Sequence, residues 1–76
     1  MKPDSIRVKL FVYLLAEGTD VWRPTEAVSV GDGLFKILPT PEYDPEDEVW
    51  EFPPSSIVRC ETRQGDSDEY IVAVKP

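Results

Sequence analysis

Strict alternation opens the chain. In residues 6–15, IRVKLFVYLL, the apolar side chains Ile6, Val8, Leu10, Val12 and Leu14 fall on one side and Arg7 and Lys9 on the other. This is the period of two that a half-buried strand requires. Phe11, Tyr13 and Leu15 then make the second side apolar too, so the strand is expected to run from an exposed stretch into one covered on both faces. Glu17, Gly18, Thr19 and Asp20 read as a turn. Residues 21–30 resume with β-branched side chains at Val21, Thr25, Val28 and Val30. Pro24 interrupts them. Lacking an N–H for a ladder, it places itself and Trp22 at an edge, a bulge or a bend.

Between TEAVSV and LFKIL stands Gly31-Asp32-Gly33, an Asp-Gly turn flanked by apolar runs and therefore a hairpin. Leu38 ends the second arm, because Pro39 and Pro41 follow. Residues 39–48 form a loop, in which Asp44 is placed as an N-cap before Pro45, with room for one helical turn. Residues 48–52 alternate acid with apolar, Pro53-Pro54 bends the chain, and residues 57–62 make another strand. After a turn over residues 64–68, Tyr70, Val72 and Val74 alternate with Ile71 and Ala73 in a last strand. Five to six short strands with at most one helical turn predict an all-β fold, a small antiparallel barrel whose closure removes unpaired edges. The competing expectation is an α+β arrangement with a helix over residues 42–52.

Composition narrows the chemistry. At 76 residues the chain has room for one domain spanning residues 1–76. It has no His and one Cys, Cys60, which excludes zinc fingers, His-based triads and disulfide frameworks. Nothing pairs a nucleophile with a base, so a non-enzyme without cofactor or metal is expected. YDPEDEVWEFPP lacks the alternating ligands and central Gly of a calcium loop. Cys60 alternates with Val58 and reads as a core thiol.

The net charge of −7 is unevenly placed: residues 1–41 carry as many bases as acids, while residues 42–76 carry ten acids against Arg59, Arg63 and Lys75. Such a field repels phosphate backbones and anionic lipid, so direct nucleic-acid or membrane contact is not expected, and a basic partner is. Lys2, Arg7 and Lys9 before the run of residues 10–16 superficially resemble a secretory signal, but Pro3 and Asp4 spoil the charged start and no small-residue cleavage site precedes Glu17. With one Cys and no apolar run long enough to span a bilayer, the expected location is cytoplasmic.

Residues 21–38, VWRPTEAVSVGDGLFKIL, resemble the first hairpin of SH3-like barrels of the Tudor sort, in which a short strand carrying an Ala meets an Asp-Gly turn and an aromatic-basic-apolar strand. With EGTDVWRP and DPEDEVWEFPPSSIVRC the chain also resembles a group of small uncharacterised bacterial proteins, a likeness covering most of residues 7–63. That resemblance implies an SH3-like fold and no activity. Tudor-type domains bind methylated side chains in an aromatic cage. Trp22, Phe35, Tyr43, Trp50 and Phe52 are possible walls, but no cage spacing matches, and no cage role is carried over.

Two features stand out as a candidate site. Trp22 beside Arg23 is a combination enriched at interface hot spots, or else Trp22 closes the barrel mouth and Arg23 pairs with an acid. Residues 42–51 hold six acids and two aromatics, among them Tyr43, Asp44, Glu46, Asp47, Glu48 and Trp50. They offer carboxylates and ring faces to a Lys or Arg, or else a solvated loop with its rings turned inward. The expected function is a non-catalytic module docking a basic protein partner through these residues. The alternative is an acidic inhibitor imitating nucleic acid, of the phage anti-defence (anti-CRISPR) or toxin-immunity kind, with its acids in a row at phosphate-like spacing.

Overall fold

The computed structural model describes residues 6–76; the charged start at Lys2 and Asp4 lies outside them. Six strands form: β1 Arg7–Leu15, β2 Val21–Gly31, β3 Leu34–Ile37, β4 Val49–Trp50, β5 Ile57–Gln64 and β6 Glu69–Val74. No helix occurs among the described residues. The fold is all-β and barrel-like, as the alternation and turn spacing predict.

Closure depends on β1. One edge pairs antiparallel with β2 from Arg7↔Val28 to Leu14↔Val21. Its other edge is shared, meeting β6 at Phe11↔Val72 and β4 at Leu14↔Trp50 and Leu15↔Val49. Since β2 pairs β3, β3 pairs β5 and β5 pairs β6, the hydrogen bonds run round a ring through β1. The β1–β6 contact is parallel, a departure from the purely antiparallel expectation.

Each strand supplies the core. Leu10, Val12 and Leu14 come from β1, joined by Ala27, Ile37, Trp50, Val58 and Ala73 from the other five. Ile6, expected on the inner side, lies before the start of β1 and is 68% exposed. Asp32 and Gly33 both have positive φ (58° and 75°), the backbone of a two-residue turn whose twist matches the flanking strands. The register slips between Ser29 and Gly31, so Val30 is the extra residue of a β-bulge. Pro24 behaves as expected: the β2 segment before Ala27 is paired by β1 alone, leaving the other edge of that segment without a strand among the described residues.

Leu10→Ala is expected to lower the unfolding free energy by about 2–4 kcal/mol in a urea titration. Ile6→Ala, at a site already in water, should change it by less than about 0.5 kcal/mol.

Candidate functional site

The acidic segment is folded back on itself. Asp44 Oδ1 accepts the Glu46 N–H at 2.9 Å, and its carbonyl accepts the Asp47 and Glu48 N–H groups, both at 2.9 Å. That is the expected cap with Pro45 at the first position of a single turn, and it replaces the competing longer helix. Asp44, Glu46 and Asp47 remain exposed.

Glu48 does not belong to that exposed set. The register places Arg23 opposite Val12, on the inward side of β2 with Thr25 and Ala27. Its guanidinium forks onto Glu48: Nε donates to Oε1 at 3.1 Å and Nη2 to Oε2 at 2.9 Å. The Trp50 indole N–H also donates to Oε1, at 2.7 Å. A carboxylate with both oxygens engaged by charged and ring N–H donors is held firmly, and breaking one arm leaves the others poorly satisfied. The Trp50 hydrogen bond first, and then Arg23, hold the Glu48 carboxyl below the ordinary glutamate pKa, against the opposing effect of burial.

This corrects part of the sequence expectation. Trp50 is 2% exposed and belongs to the core, so it presents no open ring face. Tyr43 is half-buried and packs edge-to-face on it, with ring centroids 4.8 Å apart. Phe35 and Phe52 pack against the core too, so these rings form no open cage. Of the eight residues singled out, Arg23, Glu48 and Trp50 form one internal network with Tyr43 on its flank, Asp44 caps the turn, Glu46 and Asp47 face water, and Trp22 lies on the other face of β2.

That other face carries the surface sequence reading missed. Because Phe11 and Tyr13 are outward on β1, they meet the outward residues of β2 and β6. Tyr13 packs against Trp22 with centroids 5.0 Å apart, and Phe11 stands edge-on to Tyr70 at 6.1 Å. Phe11, Trp22 and Tyr70 line a groove of about 460 Å³ with Asp68 and Glu69. Beneath this side Val72, the register partner of Phe11, is fully buried yet outside the barrel core. The second covered face expected for β1 is therefore an external aromatic layer, although Leu15 at its end is exposed. Glu69 Oε2 accepts the Gln64 side-chain N–H at 2.8 Å. The Tyr13 hydroxyl donates to Asp20 at 3.0 Å, and that hydrogen bond and charge raise the Tyr13 pKa. The alternation of residues 11–15 signalled this layer, but only the strand pairing brings Tyr70 to it.

Cys60 is half-buried against the core, and burial pushes its thiol pKa up, the environment of an inert thiol. No cluster of His, Cys, Asp and Glu suited to a metal ion occurs among the described residues, and no helix long and apolar enough to cross a membrane occurs among them. Compared with protein-family models, curated proteins and solved structures, the chain matches none.

The Glu48 fork gives a pH dependence. Its folded-state pKa lies below that of an unfolded glutamate, about 4.3. The fork therefore adds stability above that pH and loses it as pH falls through the folded value. Glu48→Gln is expected to cost about 1–2 kcal/mol at neutral pH. The gap in Tm between the wild type and this variant should narrow below about pH 4, which thermal melts across a pH series will check.

Proposed function

We propose that this chain is a non-catalytic docking module that takes a basic segment of a protein partner in the groove of Phe11, Trp22 and Tyr70. The observation that carries this reading is a groove lined by the half-buried Trp22 and two further rings, Phe11 and Tyr70, together with Asp68 and Glu69. Large rings in a concave, partly dehydrated surface are the residues that dominate binding energies. Carboxylates beside the rings attract cationic side chains and disfavour nucleic acid or anionic membrane. The exposed Asp44, Glu46 and Asp47 add long-range attraction, which raises association rate more than affinity. The closed ring of short strands and the two-residue β2–β3 turn favour the SH3-like assignment.

Capped peptides alternating Lys or Arg with apolar residues, compared with matched peptides carrying Glu in place of the bases, provide the probe. Basic peptides are expected to shift the Trp22 indole signal in NMR spectra and leave Trp50 unmoved; equal response to acidic peptides would contradict the reading. Trp22→Ala should abolish binding with the fold retained. A paired change of Glu46 and Asp47 to Ser should slow association and leave Tm unchanged, while adding Glu48→Ser should lower Tm. An acidic inhibitor imitating nucleic acid would show the reverse, with activity surviving Trp22→Ala and lost on neutralising the loop.

A further inference from the structure

Next to the groove, one stretch of sheet edge lies open. β3 pairs β5 only at Ile57 and Val58, whereas β6 pairs it as far as Gln64. Among the described residues the far edge of β5 therefore has no strand partner over residues 60–64, and Glu61, Thr62, Arg63 and Gln64 are all exposed. The β2–β3 turn stops short of this stretch: Arg59 Nη1 lies 3.1 Å from where a Cβ on Gly33 would stand.

An unpaired row of backbone donors and acceptors is a template for another strand, and charges on it ordinarily discourage pairing. The sign order here does the opposite for one particular partner. Glu61 and Arg63 flank Thr62 symmetrically. A second copy laid antiparallel, Thr62 opposite Thr62, places Glu61 opposite Arg63 twice and Cys60 opposite Gln64. No like charges face each other. Directly opposed residues on antiparallel strands stand about 5 Å apart at Cβ, within reach of two side chains that already meet inside one chain, where Arg63 Nη2 lies 2.9 Å from Glu61 Oε1.

We propose that two copies of this chain associate through an antiparallel pairing of their β5 edges centred on Thr62, an isologous two-fold contact. Each copy carries −7, and that long-range repulsion is screened beyond about 8 Å at physiological ionic strength. The two contact pairs are shorter than that and survive. Five residues on each side fall well below the roughly 20–30 per side of a standard interface, so the dimer is weak and exchanges rapidly. Glu61 and Arg63 pair with Val72 and Tyr70 on β6, and extending the sheet through β5 keeps this outer face on the same side in both copies. Two grooves then face one way and can engage a repeated basic segment with avidity. The pairing stands apart from the docking reading; the two-groove presentation rests on it.

Sedimentation equilibrium on the full chain from about 10 μM to about 1 mM is the test, with circular dichroism melts confirming that each variant folds. The wild type should show an average mass rising toward the dimer. Glu61→Arg and Arg63→Glu should each weaken association about tenfold or more, because two attractive contacts become repulsive ones. The double exchange, which restores opposite signs, should return to within about threefold of wild type. Net repulsion alone predicts that Glu61→Arg, being less negative, associates more tightly. A monomer at every concentration, tighter association of Glu61→Arg, or no recovery in the double exchange would overturn the proposal. Peptide binding at Trp22 is read separately, so either finding can fail while the other stands.

Discussion

A strand whose later half is apolar on both faces must be covered on both there, and β1, where Phe11 and Tyr13 alternate with Leu10, Val12 and Leu14, is that strand. Its inner residues Leu10, Val12 and Leu14 form the axis of the core. Its outer residues Phe11 and Tyr13 receive Trp22 from β2 and Tyr70 from β6. Closure of the ring is what makes this possible, because β1 has β2 on one edge and β6 and β4 on the other. Without the β1–β6 contact, Tyr70 would have no Phe11 to stand against, and Val72 would lose its cover. The groove is thus a by-product of barrel closure: aromatic rings roof the outside of the seam, and a small chain has no further layer with which to bury them.

A different constraint governs the acidic segment. Strand β4 is only two residues long, too short to hold a loop by ladder hydrogen bonds alone. The fork from Arg23 to Glu48, and the Trp50 indole on the same carboxylate, supply the missing attachment. The Arg23 stem follows the inner face of β2 and its charged head emerges at the end of the barrel, 40% of the side chain remaining exposed against 18% for Glu48. One acid is thereby withdrawn from the surface, one indole is sealed, and the neighbouring Glu46 and Asp47 are left in water. The loop presents charge without open rings, and the groove presents three rings beside Asp68 and Glu69.

Local chemistry was legible in the sequence. Alternation located β1 and β6, the Asp-Gly pair located the β2–β3 turn, Pro24 marked the part of β2 paired on one edge only, and Asp44-Pro45 marked the single capped turn. The fates of the two tryptophans were not legible, because the neighbours of neither Trp22 nor Trp50 state which face of its strand turns inward, and the register decides it. Arg23 carried a readable clue: it shares alternation with Thr25 and Ala27, an inward set, so its partner had to be found at the barrel end. Tyr70 lay beyond reach for another reason. Its meeting with Phe11 needs the parallel pairing of the first and last strands, which no local pattern encodes. The β-bulge at Val30 was hidden in the same way, since its register slip depends on how Phe35 finds Ser29.

The two indoles are sharply divided: Trp50 is sealed in the core and locked to the Glu48 carboxylate, whereas the half-buried Trp22 lines the outer groove. Hydrogen exchange of the two indole N–H groups, followed by NMR near neutral pH, measures that division directly. Slow exchange at Trp50 and fast exchange at Trp22 is the predicted result. Equal protection of both, or fast exchange at Trp50, would contradict it.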